Sequence, residues 1–167
     1  MNKENDVKKE LLVLGIGNLL MGDEGVGIHV VNHLNENYDL GDVDILDGGT
    51  GGFHLLEYFQ KYHQVLIIDA TIDGQPAGTI SYLKPKFSSD YPPTLTAHDI
   101  GLKDLIDSLF LLNVKTEIFL LTISIPKIDK VSLDISDQIQ KVVPVAAEKI
   151  SKLVKSNLAE SFEKELG

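Results

Sequence analysis

The sequence predicts an α/β domain, a mostly parallel sheet with helices packed on both of its faces. Three observations carry that expectation. Short apolar runs at residues 11–14, 65–68 and 117–125 alternate along the chain with segments of helical periodicity. The first two runs show no apolar/polar alternation, the pattern of strands buried on both faces. The first of them also feeds a glycine turn, Gly15-Ile16-Gly17-Asn18, and then a helix-like stretch, the way open α/β sheets build binding sites at the carboxyl ends of their strands. With 167 residues the chain fits one ordinary domain. We place that domain at residues 11–158, with residues 1–10 a disordered polar tail and residues 159–167 a C-terminal tail.

The elements follow in order. Residues 11–15 form the first buried strand. From residue 25 to about residue 35, Val26, Val30 and Leu34 stack at i, i+4 and i+8 with Val31 beside them, an amphipathic helix. Residues 43–46 make a short strand ending at Asp47, and the glycines at 48, 49, 51 and 52 are too dense for regular structure. Residues 53–62 carry Phe53, Leu56 and Phe59 at helical spacing. Residues 65–68 are the central strand, ending at Asp69. Asp73-Gly74 and Pro76 mark a turn, and residues 79–83 are a strand whose short connection makes it an antiparallel member of a mixed sheet. Residues 84–96 hold three of the six prolines and form a long loop. Residues 100–112 return to helical periodicity, with His98 or Asp99 near the N-terminus. A strand at 117–125 stops at Pro126, and residues 127–133 are a loop. Ser136, a good N-cap, then opens a helical pattern that runs to about residue 158, interrupted or restarted at Pro144.

Composition excludes several chemistries. Without cysteine there are no disulfides, thiolate nucleophiles, iron–sulfur ligands or Cys-type zinc sites. All fifteen cations are Lys and the net charge is -10, so the clustered basic surface of a nucleic-acid binder is missing, as are bidentate Arg clamps on phosphate. A metal cation or a basic partner surface suits this charge. No apolar run approaches the ~20 residues of a membrane span. The first ten residues are polar, unlike a secretory signal, so the cytoplasm is the expected compartment. No long coiled-coil pattern stands out, and a monomer is expected.

The acids and histidines hold the chemistry. Three strands, ending near Gly15, Asp47 and Asp69, each deliver a loop with a carboxylate in it or just before it, and in a parallel sheet those ends share one edge. His98 stands just before a helix after the proline-rich loop. Asp, Glu and His converging on one edge can bind a divalent cation through O and N donors. Taken singly, Asp47 and Asp69 read as loop caps and Glu24 as a first-turn acid favoured by the helix dipole; four together at strand ends favour a site. Extending the first helix back one turn puts Glu24 seven residues before Val31, on the inward face, where a carboxylate is costly unless it is paired or coordinating. His29 and His33, at i and i+4, lack the intervening Glu of a zinc-protease helix and read as a boundary pair. His54, after the glycine loop, is a weaker site candidate, and His63 reads as surface.

Two enzyme classes fit poorly. Leu20 stands where a dinucleotide fingerprint needs its third glycine, and Asp23 with Glu24 opposes a pyrophosphate at the helix N-terminus. No G-x-S-x-G elbow exists for a serine hydrolase.

Four motifs in order resemble one family. They are residues 15–27 (GIGNLLMGDEGVG), Leu46-Asp47-Gly48-Gly49-Thr50 with Gly52, Ile67-Ile68-Asp69-Ala70 followed by Pro76-Ala77-Gly78-Thr79, and Thr96-Ala97-His98-Asp99-Ile100-Gly101-Leu102. On these the chain, from about residue 11 to 136, resembles the hydrogenase maturation endopeptidases. Those enzymes trim the C-terminal extension of the large subunit of nickel–iron hydrogenases. The resemblance implies a twisted mixed sheet between helices. It also implies Glu24, Asp69 and His98 as metal ligands and Asp47 as an additional functional acid. No permanent cofactor is implied: the ligands engage the nickel already placed in the precursor, so only a loaded precursor is cut. A divalent cation such as zinc or cadmium is then expected to take the site in a crystal. Two departures are visible. Thr96 stands where the family usually has Ser, and Ile123-Ser124-Ile125-Pro126 keeps only the proline of a Gly-Ile/Val-x-Pro pattern, in a region expected to choose the partner hydrogenase. The rival expectation is a non-catalytic nickel-binding accessory protein of hydrogenase assembly on the same scaffold.

Overall fold

The computed structural model describes residues 7–85, 99–128 and 130–166. Five strands form one sheet in the order β2-β1-β3-β5-β4: β1 (Lys9–Gly15), β2 (Asp44–Asp47), β3 (Tyr62–Thr71), β4 (Ile80–Leu83) and β5 (Glu117–Ser124). β1, β2, β3 and β5 are mutually parallel, and β4 runs antiparallel to β5 at the edge. The mixed α/β sheet expected from the sequence is the one observed.

Strand alternation divides the core in two. Leu11 and Val13 of β1, Leu66 and Ile68 of β3 and Phe119 and Leu121 of β5 face one layer. That layer is made by α1 (Val26–Asn37), α4 (Asp137–Lys155) and α5 (Leu158–Leu166). Leu12, Leu14, Ile67 and Leu120 face the other, made by α2 (Leu56–Lys61) and α3 (Asp99–Leu111). Helices on both faces explain why the central strands read as continuous apolar runs.

Several boundaries differ from the sequence reading. β1 starts at Lys9, so residues 9 and 10, expected in a disordered tail, belong to the sheet, where Lys9 pairs with Tyr62 of β3. β3 starts at Tyr62 and ends at Thr71, because β5 pairs with it all the way to Thr71↔Ser124. Asp69 therefore sits inside the strand, opposite Thr122, rather than at its end. Residues 53–55 form a 3-10 turn ahead of α2, which stops at Lys61. Pro144 neither interrupts nor restarts α4, which is one helix of 19 residues. Pro144 and Gln140 are both exposed, so water can satisfy the Gln140 carbonyl that lacks its helical donor. Finally, residues 158–166 are no tail. Asn157 caps α5 by accepting from Glu160 N at 3.1 Å, and Leu158 and Phe162 are buried. The Phe162 ring meets Phe119 and Tyr82 edge-on, at centroid distances of 4.9 and 5.4 Å.

At the amino-terminal end of the sheet Asp44 accepts from the Tyr62 hydroxyl and from Lys9 Nζ. These bonds, that from Tyr62 first, hold the Asp44 carboxyl below its ordinary value. A depressed carboxylate pKa stabilises the fold above about pH 4, and that stabilisation is lost as pH falls through the depressed value. Tyr62→Phe is therefore expected to cost about 1 kcal/mol at neutral pH, the Asp44 carboxylate being partly open to solvent. In urea titrations the gap between variant and parent should narrow at pH 3.

Candidate functional site at the carboxyl edge of the sheet

The turn after β1 is tied to its neighbours by the backbone. Ile16 N donates to Ile68 O at 2.9 Å, Gly48 N to Gly15 O at 2.8 Å and Gly17 N to Gly49 O at 2.9 Å. Residues 18–24 then close on themselves: Met21 N donates to Asn18 O, Glu24 N to Met21 O, and Asn18 N back to Glu24 O. A 3-10 turn at Gly22–Gly25 leads straight into α1. Two glycines make this close approach possible. A Cβ on Gly17 would collide with the Glu24 carbonyl oxygen, and one on Gly27 with the carbonyl oxygens of both Ile68 and Ile16. The segment carrying Glu24 thus lies on the end of β1, and the first turn of α1 rests on β3 at the residue before Asp69.

Glu24 and Asp69 are brought to one edge by this packing. Asp69 has no solvent exposure, and its Oδ1 accepts from Ala70 N at 2.8 Å; Glu24 is half-buried. Burying a carboxylate to this degree is costly unless it is paired or coordinating. Asp47 is on the same edge, opposite Gly15. Two strand spacings separate it from Ile68, roughly 10 Å. It is exposed, and its Oδ1 accepts from Gly49 N at 2.9 Å, which shapes the glycine loop. His98 lies outside the described residues. Among the described residues no group of three or more His, Cys, Asp or Glu side chains is placed to hold a metal ion. The oxygen donors Glu24 and Asp69 are hard ligands suited to a divalent cation.

Of the two acids Asp23 is the more deeply buried and Glu24 is half-buried, since the segment is a 3-10 turn of three residues per turn. Asp23 Oδ1 accepts from Ser136 N at 2.7 Å and Oδ2 from Ser136 Oγ at 2.9 Å, so it locks the N-cap of α4 to the turn that carries Glu24. The cap itself was legible in Ser136; its partner, 113 residues away, was not. Asp23→Ala leaves the Ser136 donors without their acceptor and is expected to cost about 2 kcal/mol, whereas Asp23→Asn, which keeps one acceptor, costs less. Urea unfolding of the two variants checks this.

Four of the five histidines lie among the described residues. His29 and His33 line a cleft with Gln140 and Pro144 of α4. Burial pushes the His29 pKa down, opposed by the charge of Asp23. His54 is exposed in the 3-10 turn after the glycine loop, and His63 is exposed near the start of β3.

Residues 28–153 match the family described as hydrogenase maturation protease. Among curated proteins the chain is similar to the hydrogenase 2 maturation protease of Escherichia coli. The two are 36% identical over 102 residues, which cover 59% of this chain and 62% of that protein. It is also similar to the hydrogenase expression/formation protein HupD of Rhizobium leguminosarum, 34% identical over 103 residues covering 59% of this chain and 50% of the relative. The chain thus spans between half and two thirds of the length of these two relatives. Among solved structures, the hydrogenase maturating endopeptidase HybD of E. coli superposes with a TM-score of 0.78 at 27% identity, covering 89% of this chain and 94% of that one. The nickel–iron hydrogenase maturation protease HybD of Thermococcus kodakarensis does so with 0.71 at 26% identity, covering 87% and 99%.

Proposed function

Because the chain belongs to the hydrogenase maturation protease family, we propose that it is an endopeptidase that removes the C-terminal extension of a nickel-loaded hydrogenase large-subunit precursor. The observation that carries this reading is the seating of the Glu24 turn, through Gly17 and Gly27, against the strand that buries Asp69. Glu24, Asp69 and His98 engage the nickel that the precursor brings, which restricts cutting to loaded precursor. A cation held there can polarise the scissile carbonyl or activate water. Asp47, at the mouth of the same edge, is the acid that passes protons during the cut, an aspartic-type role. The enzyme acts as a monomer in the cytoplasm. No helix among the described residues is long and apolar enough to cross a membrane.

The test is to mix the protein with precursor in nickel-loaded and nickel-free forms and follow the mass of the large subunit. Loss of the C-terminal extension from the loaded form alone is expected. A precursor of unchanged length, with tight nickel binding by this chain on its own, would establish the accessory-protein reading instead.

A further inference from the structure

His29 and His33 stand four residues apart within α1, where a helix brings such positions to one face with Cβ atoms about 5–6 Å apart. Both residues are partly buried, and both line the cleft between α1 and α4. Two imidazoles at this spacing on one helix face are a chelating pair for a metal such as zinc. The cleavage chemistry proposed for the strand ends gives them no part.

The surroundings suit a cation. Burial pushes the His29 pKa down, which keeps its imidazole neutral near pH 7 and its lone pair open to a metal. The lining of the cleft carries one carboxylate, Glu36, three residues on from His33, and no lysine. The negative charge of Asp23 also acts on His29. Lys141 lines the neighbouring cleft, which shares Gln140, and Asp137 stands beside it there. Among the described residues no third His, Cys, Asp or Glu joins the pair. An ion here would take two protein nitrogens and complete its shell with water, for which the cleft, of about 460 Å³, has room.

We infer that His29 and His33 form a second metal site, made of other residues than the strand-end acids, for a divalent late transition metal such as zinc, nickel or copper. Imidazole nitrogens suit these ions, whereas magnesium and calcium take oxygen ligands. The strand-end acids offer oxygen donors and, on the proposed reading, meet a metal that the substrate brings. The helix pair holds its ion in the absence of substrate. The inference does not depend on the protease reading.

The test uses the untagged full chain and Zn²⁺ alone. In an Asp69→Asn background, where the strand-end site has lost a ligand, calorimetry should still show Zn²⁺ binding to the chain. Adding His33→Ala should weaken that binding by more than the about 10–100-fold typical of losing only a ligand's supporting partner. With Zn²⁺ about a hundredfold above its Kd, the melting temperature of the Asp69→Asn protein should rise by about 5–10 °C. The rise should vanish with His33→Ala, whose metal-free melt should match its background. In the parent itself, a trace of Cu²⁺ should broaden the ring-proton NMR signals of His29 and His33, assigned among the five histidines through single variants. Zn²⁺ affinity unchanged by His33→Ala overturns the site. So do His29 and His33 signals that stay sharp under Cu²⁺. An equal melting shift with Mg²⁺ overturns the imidazoles as ligands.

Discussion

Glu24→Gln and Asp69→Asn are each expected to lower the rate of C-terminal extension release from nickel-loaded precursor by about a hundredfold to ten-thousandfold. Both changes nearly preserve shape. They remove the negative charge that a divalent cation requires of its oxygen ligands, and metal-assisted hydrolysis draws its transition-state stabilisation from a cation held in place. The fold should survive. The bond from Ala70 N to Asp69 Oδ1 can be kept by the Asn oxygen. Loss of activity in a variant that still folds cooperatively is therefore the signature to look for. Full activity in either variant would remove that residue from the site.

Gly27→Ala is expected to be strongly destabilising, by about 3 kcal/mol. The new Cβ would strike two main-chain carbonyl oxygens, those of Ile16 and Ile68. Both sit where β1 and β3 are tied together, so neither can retreat without breaking the 2.9 Å bond from Ile16 N to Ile68 O. Overpacking of this kind costs 1–3 kcal/mol or more, and Ala regains only about 1 kcal/mol of helix propensity over Gly. For a chain of this size the melting temperature should fall by roughly 6–12 °C. Gly25→Ala is the control. Its Cβ meets first the flexible Leu19 side chain, at 3.0 Å, and its loss should be much smaller.

The legible parts of the fold were those where burial wrote itself into composition. Residues 11–15 and 65–68 sit in β1 and β3 between two helical layers, so every side chain is apolar and the strands announce themselves. β4 was legible as antiparallel because its connection from β3 is too short for a crossover helix. What stayed hidden depended on distant partners. α5 has the same i, i+4, i+8 pattern (Leu158, Phe162, Leu166) that revealed α1, but its other residues are mostly polar, and only the aromatic neighbours Phe119 and Tyr82 make Phe162 a core residue. Pro144 read as a break because its tolerance rests on exposure, which a helix rule does not contain. At the site, the acids at strand ends could be named from order alone. Which of Asp23 and Glu24 is buried depended on three-fold rather than 3.6-fold winding over four residues, and on Ser136 from the far end of the chain.

The bonds of the glycine turn have a bearing on how the protein meets a large substrate. Ile16, Gly17 and Gly48 each spend their amide on a neighbouring strand or loop at the centre of the sheet, so the carboxyl edge shares the lifetime of the sheet itself. Opening this turn means unravelling β1 from β3, so on the proposed reading accommodation at the turn comes from the substrate.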